Sequence, residues 1–356
     1  MILPVKARPM RLAAAAAVVC SVALLTGFEG APGDRPLSDA VFSSNPGAPA
    51  VTLPTKVLEA ASVYIAYVDR ASAVSPSFPD GQAIAASLKA TEAYEPRQMQ
   101  EGITAYAAIV ALQDPTFVAS VRAFGADPGQ RAQVASALAA DPRYAIAFAG
   151  ADTAAGLIIA ALTEEGQRVL ASGKRVKQAA YDVQHQKWST QFVPDRDGRL
   201  ALAKALSDQP LAAPPEEEGR MQLASTGATP LMISGAPNPG PYSPTVERAL
   251  AVAAMAALGA GSNDYSDQIM ALLDEPDEQD CLHSAKLNLY QCLAVAKPHY
   301  EDVFCMGQHI LMDTGQCILK GAAPITAPVL LASADASPAP VKTKATARRK
   351  KHKAKP

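Results

Sequence analysis

Aromatic residues are scarce in this chain, 5 % of it with a single tryptophan, and no stretch sustains an alternation of β-branched with polar residues. Both absences argue against a sheet-based fold, whose strands draw on such residues at period two. Named catalytic motifs are missing as well. There is no G-x-S-x-G and no H-E-x-x-H. Ser172-Gly173-Lys174 comes near a phosphate loop, but it lacks the first glycine and follows a helical rather than a strand pattern. The paired acids Glu164-Glu165, Glu216-Glu217-Glu218 and Glu301-Asp302 are adjacent. On a helix, adjacent side chains splay by about 100° and face no common substrate.

A net charge of −2 looks featureless, yet the basic residues are distributed unevenly. Lys6, Arg8 and Arg11 precede an uncharged apolar run, residues 12–25. Fourteen residues rise about 21 Å as a helix, short of the roughly 30 Å hydrocarbon layer. This pattern predicts an export signal over residues 1–28, with a marginal uncleaved anchor as the alternative. Cys20 falls inside the apolar run and reads as part of the signal. At the other end, Lys342, Lys344, Arg348, Arg349, Lys350, Lys351, Lys353 and Lys355 follow one another without an acid. Removing these eight and the first three from 32 basic residues leaves 21 against 34 acids, so the body lies near −13. The segment 321–356 is therefore predicted to be a disordered Ala/Pro/Lys-rich tail. Arg348, Arg349, Lys350, Lys351, Lys353 and Lys355 could hold an anionic envelope surface, at about 1 kcal/mol each. Export removes nucleic acid as the partner of that run.

What the chain has in abundance is alanine and helix punctuation. Asp114-Pro115, Asp127-Pro128 and Asp141-Pro142 each pair a capping carboxylate with a residue suited to the first helical turn. Apolar residues recur at three- and four-residue steps in Leu58, Ala61, Ile65 and Val68, and again in Met99, Ile103, Tyr106 and Val110. The longest stripe is Ile159, Leu162, Gly166, Val169, Gly173, Val176, Ala180 and Val183. Its glycines would let a neighbouring helix approach closely, unless Gly166 divides two helices. Trp188 reads as a partly buried, satisfied aromatic. The expected fold is all-α, an irregular helical bundle or array. Its units are a flexible segment 29–52, a helical domain 53–207, a Pro/Gly-rich linker 208–243 and a smaller helical domain 244–320.

Cys281, Cys292, Cys305 and Cys317 fall in the last of these units. In an exported chain, an even set of close cysteines is read as cross-linked. Cys281 and Cys292 lie on one helical face about 16 Å apart, too far to bridge each other. Pro298 interrupts the pattern, and folding back there sets Cys292 opposite Cys305 and Cys281 opposite Cys317 about one pivot. Sequential pairing, Cys281–Cys292 and Cys305–Cys317, is the competitor and requires that no continuous helix join each pair. The nested arrangement resembles the twin-CX9C helical hairpins, with ten and eleven residues between cysteines here; it carries no function over.

The same segment offers a weaker metal alternative. Asp302, Cys305, His309 and Asp313 descend one helical face, and His283 and His299 are close in sequence. No C-x2-C pair accompanies them, and a solvated face with local ion pairs is the plainer reading of Asp302, His309 and Asp313. No cofactor is expected. Two functions fit: an exported envelope protein that binds or organises without catalysis, through an unidentified protein partner or ligand, and a periplasmic hydrolase whose site is dispersed over several helices.

Overall fold

Aspartate does start the helices that the Asp-Pro pairs announce. Asp114 accepts a hydrogen bond from the Phe117 amide, Asp127 from that of Gln130, and Asp141 from that of Arg143. The computed structural model describes residues 50–261 and 263–323. Within them the chain is all-α, with 13 helices and no strand. We number these α1 (Thr55–Ser72), α2 (Gly81–Glu92), α3 (Pro96–Ala111), α4 (Pro115–Arg122) and α5 (Pro128–Ala140). They continue as α6 (Ala151–Val183), α7 (Arg196–Ser207), α8 (Pro215–Ser225), α9 (Pro244–Ala257), α10 (Ser266–Leu273), α11 (Pro276–Val295), α12 (His299–Cys305) and α13 (Asp313–Ala322). The third Asp-Pro pair opens a short 3-10 helix, Pro142–Ala147, rather than a full α-helix. The expected signal segment 1–28 and the basic residues 342–355 lie outside the described residues.

Both expected helical units feed one core. Helix α9 has nearly every residue buried from Thr245 to Ala257. A helix apolar all round belongs in the centre, and α9 packs against α3, α6 and α10. Val51, placed by sequence in a flexible segment, is buried in the same core. Segment 208–243 is less of a linker than its prolines suggest, because α8 forms inside it. Prolines remove donors and forbid regular ladders, so side-chain amides fasten the segment instead. Gln98 receives the Leu211 amide at 2.8 Å and donates to the Leu211 carbonyl at 2.7 Å. Gln113 donates to the Ala224 carbonyl at 3.0 Å and receives the Leu231 amide at 3.3 Å.

Cysteine pairing follows the nested order. Cys281 bonds Cys317 and Cys292 bonds Cys305, with Cα separations of 5.7 and 5.6 Å. Pro298 sits at the N-terminal boundary of α12, where the chain has turned back. From His299 to Ala322 the backbone is helical without a break, α12 and α13 being joined by a π-helical segment, Met306–Met312. We call this stretch the rod. Gly315 lies inside it.

The rod runs antiparallel to α6 through the two glycines of the long stripe. A Cβ on Gly166 would fall 3.0 Å from the Gly315 carbonyl oxygen, and one on Gly173 would fall 2.8 Å from that of Gly307. The reverse is also true, since a Cβ on Gly307 would lie 2.5 Å from the Lys177 amide and one on Gly315 2.7 Å from that of Leu170. Backbone thus meets backbone at two points, and none of the four positions has room for a side chain. The spacing is unequal. Gly166 and Gly173 are seven residues apart, Gly307 and Gly315 eight. Cys281 and Cys292 are eleven apart, Cys305 and Cys317 twelve. Against both neighbours the rod carries one residue too many, and the wider π segment between the contacts absorbs it.

Candidate functional site

The rod's other side borders a cleft of about 750 Å³ between α2, α7 and the start of α12. Its walls are placed by local rules. Asp80 caps α2 by accepting the Ala83 amide at 2.8 Å, and Asp195 caps α7 by accepting that of Gly198 at 2.9 Å. The segment before α7 is stitched to the turn at Pro298. Val193 donates to the Lys297 carbonyl at 2.9 Å, His299 to that of Gln191 at 3.1 Å, and Tyr300 to that of Ser189 at 3.2 Å. Arg196 then donates to the Ala296 and Ala294 carbonyls at 2.8 and 2.9 Å. This cation caps the carbonyl end of α11, where positive charge is favoured. The imidazole of His299 fills the space above Gly81, where a Cβ would come within 2.4 Å of the ring.

Polar groups converge on the inner part of this cleft. Arg199 forms a charged pair with Asp302 and also donates to the Leu293 carbonyl. Both side chains are almost fully buried. Burial pushes the Asp302 carboxyl up, and the Arg199 guanidinium beside it pulls it back. Glu92, at the end of α2, is 2 % exposed. Among the described residues, no group hydrogen-bonds its carboxyl, and its Oε2 is buried without a partner. Burial pushes it up to about 7, partly opposed by the Lys286 ammonium. Lys286 lies behind it, 1 % exposed. Its Nζ donates to the Glu92 backbone carbonyl and stands 3.6 Å from the centre of the Tyr94 ring. Burial brings this ammonium down to about 7.

The residues singled out from sequence are divided among separate jobs. Asp302 is spent on Arg199. His309 Nδ1 and Asp313 are 3.0 Å apart, and Asp313 also receives the Gln308 side-chain amide at 3.3 Å. Cys305 is in a disulfide. The described residues contain no group of three His, Cys, Asp or Glu side chains placed to hold a metal ion. The tail candidates Arg348, Arg349, Lys350, Lys351, Lys353 and Lys355 lie outside the described residues.

Glu92, Lys286 and Arg199 were missed, though two of them left a trace. Lys286 interrupts the buried face Leu282, Lys286, Leu289, Leu293 of α11, and Glu92 ends the buried face Ile84, Leu88, Glu92 of α2. A charged residue at an apolar position of a stripe is the readable signal for a buried ionisable group. Chemically, the cleft offers a desolvated carboxyl able to accept or donate, one neutralised ion pair beside it, and an apolar wall of Ala85, Leu88, Val193, Pro194 and Leu202. No family model, no curated protein and no solved structure matches the chain.

Proposed function

We propose that this is an exported, non-catalytic binding protein whose cleft between α2, α7 and the rod seats a small ligand. The observation that carries the reading is Glu92, a residue lining a cleft of about 750 Å³ whose carboxyl accepts no hydrogen bond among the described residues and whose Oε2 is buried without a partner. A buried polar group left unpaired costs about 1–3 kcal/mol. An apolar wall with a few convergent polar groups is the common form of a ligand site. The two disulfides fit an oxidising compartment, and no described helix is long and apolar enough to cross a membrane. The basic tail would hold the protein on anionic envelope material. A reporter active only outside the cytoplasm, fused after residue 40, should give signal.

A second reading is a hydrolase, favoured by a Glu92 carboxyl pushed into the range useful for general acid–base work. Its weakness is the lack of a free second group. Asp80 and Asp195 cap helices, and Asp302 is paired with Arg199.

Thermal-shift measurements against a panel of amines, amino acids, sugars and carboxylates test the binding reading. At least one class should raise the melting temperature of the native chain, as ligand at 100 times its dissociation constant adds about 2.7 kcal/mol. Leu202→Trp, which fills the cleft from a half-exposed wall position, should abolish the shift. A panel with no hit, or equal shifts in both proteins, removes the reading. Turnover of the ligand, lost in Glu92→Gln, would replace it with the hydrolase.

A further inference from the structure

Which ligand the cleft takes can be argued from the charges around it, if the binding reading holds. Four carboxyls line it, those of Asp80, Glu92, Asp195 and Asp302, against the cations Lys89 and Arg199. Arg199 is already engaged, by the Asp302 carboxylate and by the Leu293 and Ala296 carbonyls. Asp80 and Asp195 each give one oxygen to a helix N-terminus. Once these internal pairings are counted, the cleft keeps an excess of acid. Its deepest acid is Glu92, whose carboxyl no described group satisfies. The remaining wall is apolar and continuous enough in composition, with Ala85, Leu88, Val193, Pro194 and Leu202, to take methylene groups.

We propose that the cleft binds a primary alkylammonium compound, its ammonium on the Glu92 carboxyl and its alkyl chain against Leu88, Leu202, Val193 and Pro194. The ammonium supplies three donors to an acceptor that has none. A charge-assisted hydrogen bond is the strong kind. An alcohol of the same length would fill the same apolar space without the charge. A carboxylate would meet the excess of acid and be repelled.

Protonation gives the assignment a second handle. Glu92 is faced by Lys286 from α11, Arg199 from α7 and Asp302 from the rod, with His299 next to Asp302. Burial sets Glu92 near 7, so it is mostly protonated at pH 6 and mostly ionised at pH 8. Affinity for an ammonium should therefore rise by roughly tenfold from pH 6 to pH 8.

The test is calorimetric titration of the full chain with n-pentylamine, 1-pentanol and pentanoate at both pH values. Expected are binding of the amine alone, tightening with pH, and a loss of at least tenfold in Glu92→Gln with its melting temperature kept or raised. A full-length variant with Lys342, Lys344, Lys350, Lys351, Lys353 and Lys355 changed to Gln separates two sources of the same group. Tighter amine binding by that variant makes the chain's own tail the occupant; unchanged binding makes it a free amine. Equal affinity for amine and alcohol, or an undiminished amine affinity in Glu92→Gln, overturns the proposal. If another of the three compounds binds and Leu202→Trp loses it, the cleft stands with a different ligand class. If Leu202→Trp alters the affinity of none that binds, the cleft reading itself falls.

Discussion

The rod has one side closed and one side open, and the contrast is set by side-chain size. Toward α6 it presents Gly307 and Gly315 to Gly173 and Gly166, and two helical backbones touch. Toward α2 and α7 it presents His299, which fills space, and Asp302, which is paired with Arg199. Removing Cβ atoms lets dispersion and shape do the packing at close range. Placing ionisable groups at the same depth forces the neighbours to supply counter-charges, and what they do not fill remains a cleft.

The largest way to break this contrast is to cut the rod from α11, its third neighbour. Replacing all four bridging cysteines by alanine removes loops closed over sequence separations of 13 and 36 residues. In the chain-entropy model these are worth about 3 and about 4 kcal/mol, comparable with the whole stability of a domain. Chemical denaturation of the purified variant should show a lost or much reduced transition. A transition unchanged from native would mean that the glycine contacts alone hold the rod. Next is Arg199→Ala, which strands the buried Asp302 carboxylate and should cost about 3–5 kcal/mol. Asp302→Asn in the same background should recover a part of it, and no recovery would show that the carbonyl bonds of Arg199 matter more than the pair.

Gly173→Val tests the closed side. Its added atoms would meet Met312 backbone as well as side chain, so relaxation requires the helices to separate, at about 1–3 kcal/mol. The same substitution at Gly219, where a Cβ meets nothing within 4 Å, serves as the control and should stay within a few tenths of a kcal/mol of native.

The last effect has the opposite sign and sharpens the meaning of the buried acids. Glu278 is pushed up to about 8 by burial and then by Glu275. A carboxyl raised on folding keeps its full contribution below its unfolded value near 4.5 and loses it as pH rises through the folded one. Native stability should therefore fall from this source between about pH 4.5 and pH 8. Glu278→Gln should match the native chain at pH 4 and exceed it in stability at pH 8. Melting profiles that run parallel across that interval would deny Glu278 its buried, unpaired character.

Much of the closed side could be read in advance. Caps at Asp114, Asp127 and Asp141, the glycine stripe of α6 and the nested cysteines are local or periodic patterns, and each dictated its geometry through one short-range rule. The cleft could not be read this way. It needs α2, α7 and the turn at Pro298 to be brought together across more than a hundred residues, and no period links Glu92 to Arg199 or Lys286. Only the intrusions of Glu92 and Lys286 into apolar stripes hinted at it. The centrality of α9 was hidden for a different reason: an alanine-rich helix has weak amphipathicity, so one face looks apolar when all of them are buried.

The π segment has a consequence for how this sequence tolerates change in length. Because the rod exceeds both α6 and α11 by a single residue, deleting one position among 308–312 would leave seven residues facing seven and eleven facing eleven. A helix normally suffers from any such deletion, since every later side chain turns by about 100°. Here the deletion would erase the surplus, allow regular α-helical bonding throughout, and return Gly315 and Cys317 to their partners. The rod has the form of an α-helix with one residue to spare, both of its registers kept by a widened turn.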